Sequence, residues 1–152
     1  MSRPSPTKRT ARFPEPVPAR REGEMDGLPT VMIVNTALKG YAEADEFPYH
    51  VRIAVGYQSN DALLGLPTPK EIRTLESLED SVLAAVRKAG TGHYIGNTSW
   101  NGVREYNFYV DEPEAVDARL EKLAEQQHRP IQYEIQEDPD WERVTFFFDY
   151  DQ

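Results

Sequence analysis

Chemistry at a protein site needs a nucleophile, a tuned acid or base, or a metal, and this chain of 152 residues is generous with one kind of group only. It has no cysteine, which excludes disulfides, thiolate nucleophiles and cysteine-based zinc sites. His50, His93 and His128 fall in separate predicted elements without metal-ligand spacing. No GxSxG, HExxH, P-loop or dinucleotide fingerprint occurs. Gly90-Thr91-Gly92 precedes a strand, whereas a phosphate loop opens a helix, so it reads as a helix stop. Carboxylates are plentiful: Glu43, Asp45 and Glu46 in one loop, and Glu137, Asp138, Asp140 and Glu142 around Trp141. Such groups can do acid/base work or hold a divalent cation, but neither run has calcium-loop spacing. No catalytic residue, cofactor or metal is assigned. An enzyme of unknown reaction, with Glu46, Asp140 and His50 converging in one cleft, is the alternative to a binding protein.

The second candidate is aromatic. Residues 97–113 read NTSWNGVREYNFYVDEP, with Asn101-Gly102 between two alternating runs. This pair tolerates the positive φ angles of a two-residue hairpin turn. The turn sets Trp100 opposite Val103, Thr98 opposite Glu105, Gly96 opposite Asn107 and Tyr94 opposite Tyr109. Ile95, Tyr106, Phe108 and Val110 then form the apolar side and belong beneath helices. Tyr94, Trp100 and Tyr109 face outward, either as a stabilising cross-strand set or as a contact surface. Stacking of nucleic-acid bases would need nearby cations, which Glu105 opposes. The candidate protein-binding residues are Tyr94, Trp100, Asn101, Arg104, Tyr109 and Trp141. Trp100 at the hairpin tip leads, because tryptophan is enriched at interface hot spots. Trp141 has a competing role as a core anchor.

These residues need elements to hold them. Thr30–Leu38 and Tyr49–Tyr57 read as strands from their β-branched and alternating patterns. Thr68-Pro69-Lys70-Glu71 is a capping box, after which Ile72, Leu75, Leu78, Val82 and Val86 recur at helical spacing. The hairpin follows at about 93–110. A second helix begins at Asp111 and carries Val116, Leu120 and Leu123. Ile131, Tyr133 and Ile135 mark a last strand, and the segment after Asp138-Pro139 is read as a short helix. The order β-β-α-β-β-α-β predicts an α+β, ferredoxin-like two-layer sandwich. It has an antiparallel sheet with two main helices on one face, plus an extra N-terminal strand.

Charge narrows the partners. Residues 1–27 hold six Lys/Arg and four acids, a net of +2, so with −9 for the whole chain the remainder carries −11. An acidic body repels phosphate backbones, so nucleic acid is disfavoured except through the basic tail, and a basic protein partner is favoured. A homodimer is the other protein partner considered. Residues 1–27, rich in proline and charge, are expected to be a disordered tail before a single domain at 28–152. Met25 stands where an alternative translation start would fall. No apolar run approaches the roughly 20 residues of a membrane span, and no secretory signal is seen. No membrane association and a cytoplasmic location are expected.

GHYIGNTSWNGVREYNFYVDEPEAV, LPTPKEIRTLESLEDSV upstream and YEIQEDPDWERV downstream resemble bacterial proteins of domain-of-unknown-function family 695. The resemblance covers Leu28 to Phe148. It implies a fold similar to the acidic, ferredoxin-like regulator B of ribonuclease E, which inhibits that nuclease by binding it. The family has no established activity, so no catalytic residue is carried over. The expectation is a non-enzymatic protein-binding or regulatory domain, acting on a basic protein such as a nuclease.

Overall fold

The structure, a computed structural model, describes residues 13–149. In chain order the elements are β1 (Pro18–Met25), β2 (Leu28–Asn35), β3 (Tyr49–Gly56), α1 (Pro69–Ala89), β4 (Gly92–Trp100), β5 (Val103–Val110), α2 (Pro113–Gln126), β6 (Ile131–Glu137) and α3 (Thr145–Asp149). The six strands make one antiparallel sheet in the order β1-β2-β4-β5-β3-β6. The protein is α+β.

Local chemistry accounts for most boundaries. Asn101 and Gly102 both take positive φ, 47° and 83°, as a tight hairpin turn requires. The Thr68 hydroxyl accepts the Glu71 N–H at 3.3 Å and Pro69 opens α1. The expected capping box is only half formed. The Glu71 carboxylate instead accepts the Gln58 N–H at 2.7 Å and an Arg129 N–H at 2.9 Å, tying two loops to α1. The second helix starts two residues later than expected. Asp111 is drawn off to accept the Thr91 N–H at 3.2 Å.

Two cores form, one on each side of the sheet. The first joins Val51, Ile53 and Val55 of β3 and Tyr106, Phe108 and Val110 of β5 to the apolar stripes of α1 and α2. The second holds Met32, Val34, Ile95 and Tyr109, covered by Leu38 and Phe47 from the β2–β3 connection and by Trp141, Val144 and Phe147 from the C-terminal segment.

Three expectations are corrected. The tail expected over 1–27 contains β1, paired with β2 from Pro18↔Asn35 to Met25↔Leu28. Asp26-Gly27, with φ of 51° and 80°, is a second hairpin turn of the same kind. Its strand is polar because little of it is buried, so composition hid it. Residues 1–12 of that expected tail, and 150–152, lie outside the described residues.

Second, the hairpin register holds from Trp100↔Val103 to Gly96↔Asn107 and then shifts, pairing Tyr94 with Phe108 and His93 with Tyr109. A bulge at Ile95–Gly96 inserts one residue, so every β4 side chain before it changes face. Ile95 therefore joins the second core, and Tyr94 packs with the helices.

Third, the expected outward face is not open. Tyr109 is fully buried and Tyr94 mostly so, leaving Trp100 half-exposed. The C-terminal segment covers the face that was expected to meet solvent.

Candidate functional site

β1 and β2 extend the sheet beyond the helices. The helix-side residues of β2, Val31 and Ile33, stay half-buried. A groove of about 540 Å³ lies over them. Its wall is a stripe of α1 beside the core stripe, Ile72, Glu76 and Glu79, with Leu63, Leu66 and Pro67 closing one end. It continues past Leu83 and Arg87 into a hollow of about 640 Å³, which shares Pro18, Ile33 and Tyr94 with it.

The sheet register builds the floor. Arg20, Ile33, Asn97 and Tyr106 lie side by side across four strands, and Glu22, Val31, Ser99 and Arg104 form the next row. Apolar side chains on β2 thus alternate with polar ones on β4 and β5. Ile72 was expected in the core stripe. It is 38% exposed and borders the groove instead.

Glu79 organises the polar side of this floor. Its Oε2 accepts the Tyr94 hydroxyl at 2.6 Å and the Asn97 Nδ2 at 3.1 Å, and the same Nδ2 donates to the Tyr94 hydroxyl at 3.1 Å. Burial and then the adjacent Glu79 charge raise the Tyr94 pKa above the usual tyrosine range, so the hydroxyl remains a donor. One row along, Arg104 Nε donates to Ser99 Oγ at 2.7 Å. Arg20 is engaged with Glu22 through two hydrogen bonds, at 3.0 and 2.7 Å.

Of the six candidate residues, the structure brings Tyr94 and Arg104 together in this groove. Trp100 and Asn101 sit at the hairpin tip and hold other parts in place. Trp100 Nε1 donates to the Met25 carbonyl at 2.9 Å, pinning the β1–β2 turn. Gly102 exchanges backbone bonds with the β3–α1 loop, donating to Gly65 O at 2.9 Å and accepting from Tyr57 N at 2.8 Å. Tyr109 and Trp141 stack on each other in the second core, with centroids 4.4 Å apart and planes 16° apart. The Trp141 Nε1 donates to the Phe47 carbonyl at 3.0 Å, so this residue is the core anchor.

The second core carries a polar patch of its own. Tyr109 donates to Asp138 Oδ2 at 2.5 Å, and Asp138 also accepts the N–H groups of Glu142 and Arg143. Burial opposes the Asp138 charge, but these donors, with the nearby His50, hold its carboxyl below the usual range. His50 Nε2 lies 2.8 Å from Asn107 Oδ1, and its Nδ1 is buried with no hydrogen-bond partner. Burial, opposed by the Asn107 bond and reinforced by Arg143, pushes the His50 pKa down. Beside it, Arg52 bridges Glu105 at 3.0 Å and Glu134 at 3.1 Å. Asp140 is exposed while His50 turns inward to Asn107, so those two members of the expected carboxylate cleft are separated by burial. Among the described residues no group of His, Asp and Glu is arranged to hold a metal ion.

Sequence reasoning missed Glu79 and Ser99. Glu79 was one acid among many on a predicted helix. Its only signal was its place in the Ile72, Glu76, Glu79, Leu83 spacing beside the buried stripe.

Residues 22–150 match the family of unknown function DUF695, and the chain belongs to that family. No curated protein and no solved structure matches it. No helix among the described residues is long and apolar enough to cross a membrane.

Proposed function

We propose that this protein is a cytoplasmic, non-enzymatic binding domain that regulates another protein by seating an extended segment of it in the groove between α1 and the β1–β2 extension. The observation that carries this is the floor itself, where half-buried Val31 and Ile33 lie beside two hydrogen-bonded sets, Tyr94 with Asn97 and Glu79, and Ser99 with Arg104. An apolar stripe flanked by fixed polar groups suits a peptide, which brings both side chains and main-chain amides. The β3 to β6 portion reads as ferredoxin-like, supported by its strand order β4-β5-β3-β6 with α1 and α2 as the two crossovers. By analogy with the acidic ribonuclease regulator that this fold resembles, the partner is a basic protein.

The test is affinity capture from the native host with tagged wild type and Ile72→Asp. Ile72 is an exposed helix position, so melting temperatures should agree. A partner held by wild type and depleted at least tenfold by Ile72→Asp supports the groove. Equal retention of every captured protein rejects it.

A further inference from the structure

Resting on the groove reading, we infer that Glu79 is a recognition carboxylate, and that the segment seated there carries a lysine or arginine side chain over it. Glu79 is held from behind. Tyr94 and Asn97 both donate to Oε2, at 2.6 and 3.1 Å, and these donors are themselves linked, so the side chain is fixed before any ligand arrives. The other oxygen, Oε1, has no hydrogen bond among the described residues. A carboxylate with one oxygen anchored and one available accepts a cationic donor at little ordering cost.

The surrounding charge points the same way. Glu76, one turn earlier on α1, borders the same groove, and neither acid has an ion pair among the described residues. The cations of the groove are placed differently. Arg20 is matched by Glu22. Arg104 belongs to the next row of the floor, where it bonds Ser99. Glu76 and Glu79 on the α1 wall therefore form an acidic strip without an ion pair among the described residues, facing the apolar Val31 and Ile33 of the floor. A basic side chain with a long aliphatic stem suits both, its stem on Ile33 and Ile72 and its head on Glu79. The body's net negative charge steers such a segment inward.

The probes are three capped heptapeptides, Thr-Val-Thr-X-Thr-Val-Thr, with X lysine, norleucine or glutamate. Binding is read by fluorescence anisotropy and by amide NMR shifts at Ile33 and Asn97. The expected result is that the lysine peptide binds about tenfold tighter than the norleucine peptide and more tightly still than the glutamate one. Glu79→Gln should erase the lysine preference, so that the lysine and norleucine peptides bind it equally. Glutamine keeps an acceptor for Tyr94 and Asn97, and an unchanged melting temperature checks the fold. Glu76→Gln serves as the second variant and should reduce the lysine preference by less. Equal lysine and norleucine binding with shifts in the groove overturns the role of Glu79 and leaves the groove standing. If no peptide shifts Ile33 or Asn97, both readings fall.

Discussion

The two tryptophans show how far a residue's type is from its task. Both are candidate contact residues in the chain, Trp141 with a competing role as a core anchor, and each donates its indole N–H to a backbone carbonyl, Trp100 to Met25 and Trp141 to Phe47. The difference lies in what surrounds the ring. Trp141 is 5% exposed and stacked on Tyr109 and Tyr41, whereas Trp100 is half-exposed. Trp141→Ala is therefore expected to lower unfolding free energy by about 4 kcal/mol, as truncating a buried aromatic does. Trp100→Ala should cost about 1–2 kcal/mol, from one lost hydrogen bond and partial burial. Urea denaturation of the two variants checks the ordering, and equal losses would contradict the assigned roles. Glu79 makes the complementary point: an acid on a helix surface acquires meaning only when Tyr94 and Asn97 arrive from another strand.

At the scale of elements, the β4 bulge decides the most. A Cβ on Gly96 would collide with the carbonyl oxygen of Ile33 on β2, so this position accepts no side chain without backbone movement. Gly96→Ala should destabilise the protein by about 3 kcal/mol, against a fraction of that for Gly40→Ala, where the strained φ is the sole cost because the space is open. Thermal melts of the pair would show it. This element also explains what could be read in the chain. The Asn-Gly turn, the Thr-Pro helix start, the apolar spacing of α1 from Leu75 to Val86 and the short C-terminal helix were legible, because each is written in neighbouring residues. The bulge was not. Strict alternation from the turn carried the right faces back to Gly96 and wrong ones beyond it. So Tyr94, expected outside, was placed on the opposite side from where it lies, and Ile95 likewise. The groove was invisible for a different reason: its two walls, α1 and β1, come from segments some fifty residues apart, one of them expected to be a tail. The Asp26-Gly27 pair that makes β1 was in plain view and was outweighed by composition.

For the molecule as a whole, the polar patch in the second core links stability to pH. The His50 pKa is depressed in the folded state, so the unfolded chain binds this proton more readily. The contribution of neutral His50 is present above the unfolded value, near 6.5, and is lost as pH falls through the lower folded value. Asp138 and Glu71 are also depressed, so their contributions are lost in a more acidic window, as pH drops below 3.8 and 4.5 respectively. Unfolding free energy measured against pH should thus be flat from neutrality to about pH 9, decline first below pH 6.5 and decline again below 4.5. In His50→Gln the first decline should vanish while the second remains. A first decline that survives the substitution would show that His50 does not cause it.

The β1 strand has a meaning beyond walling a groove. It carries Pro18, Arg20, Arg21, Glu22 and Glu24 along the border of the sheet among the described residues, the residue types that discourage a foreign strand from adding on. Beneath it, β2 reads LPTVMIVN, four consecutive aliphatic residues from Val31 to Val34 with no charge. Translation begun at Met25 would leave that sequence as the border. Such a shortened product would keep most of the hydrophobic interior and lose its guard, leaving it prone to strand-by-strand self-association.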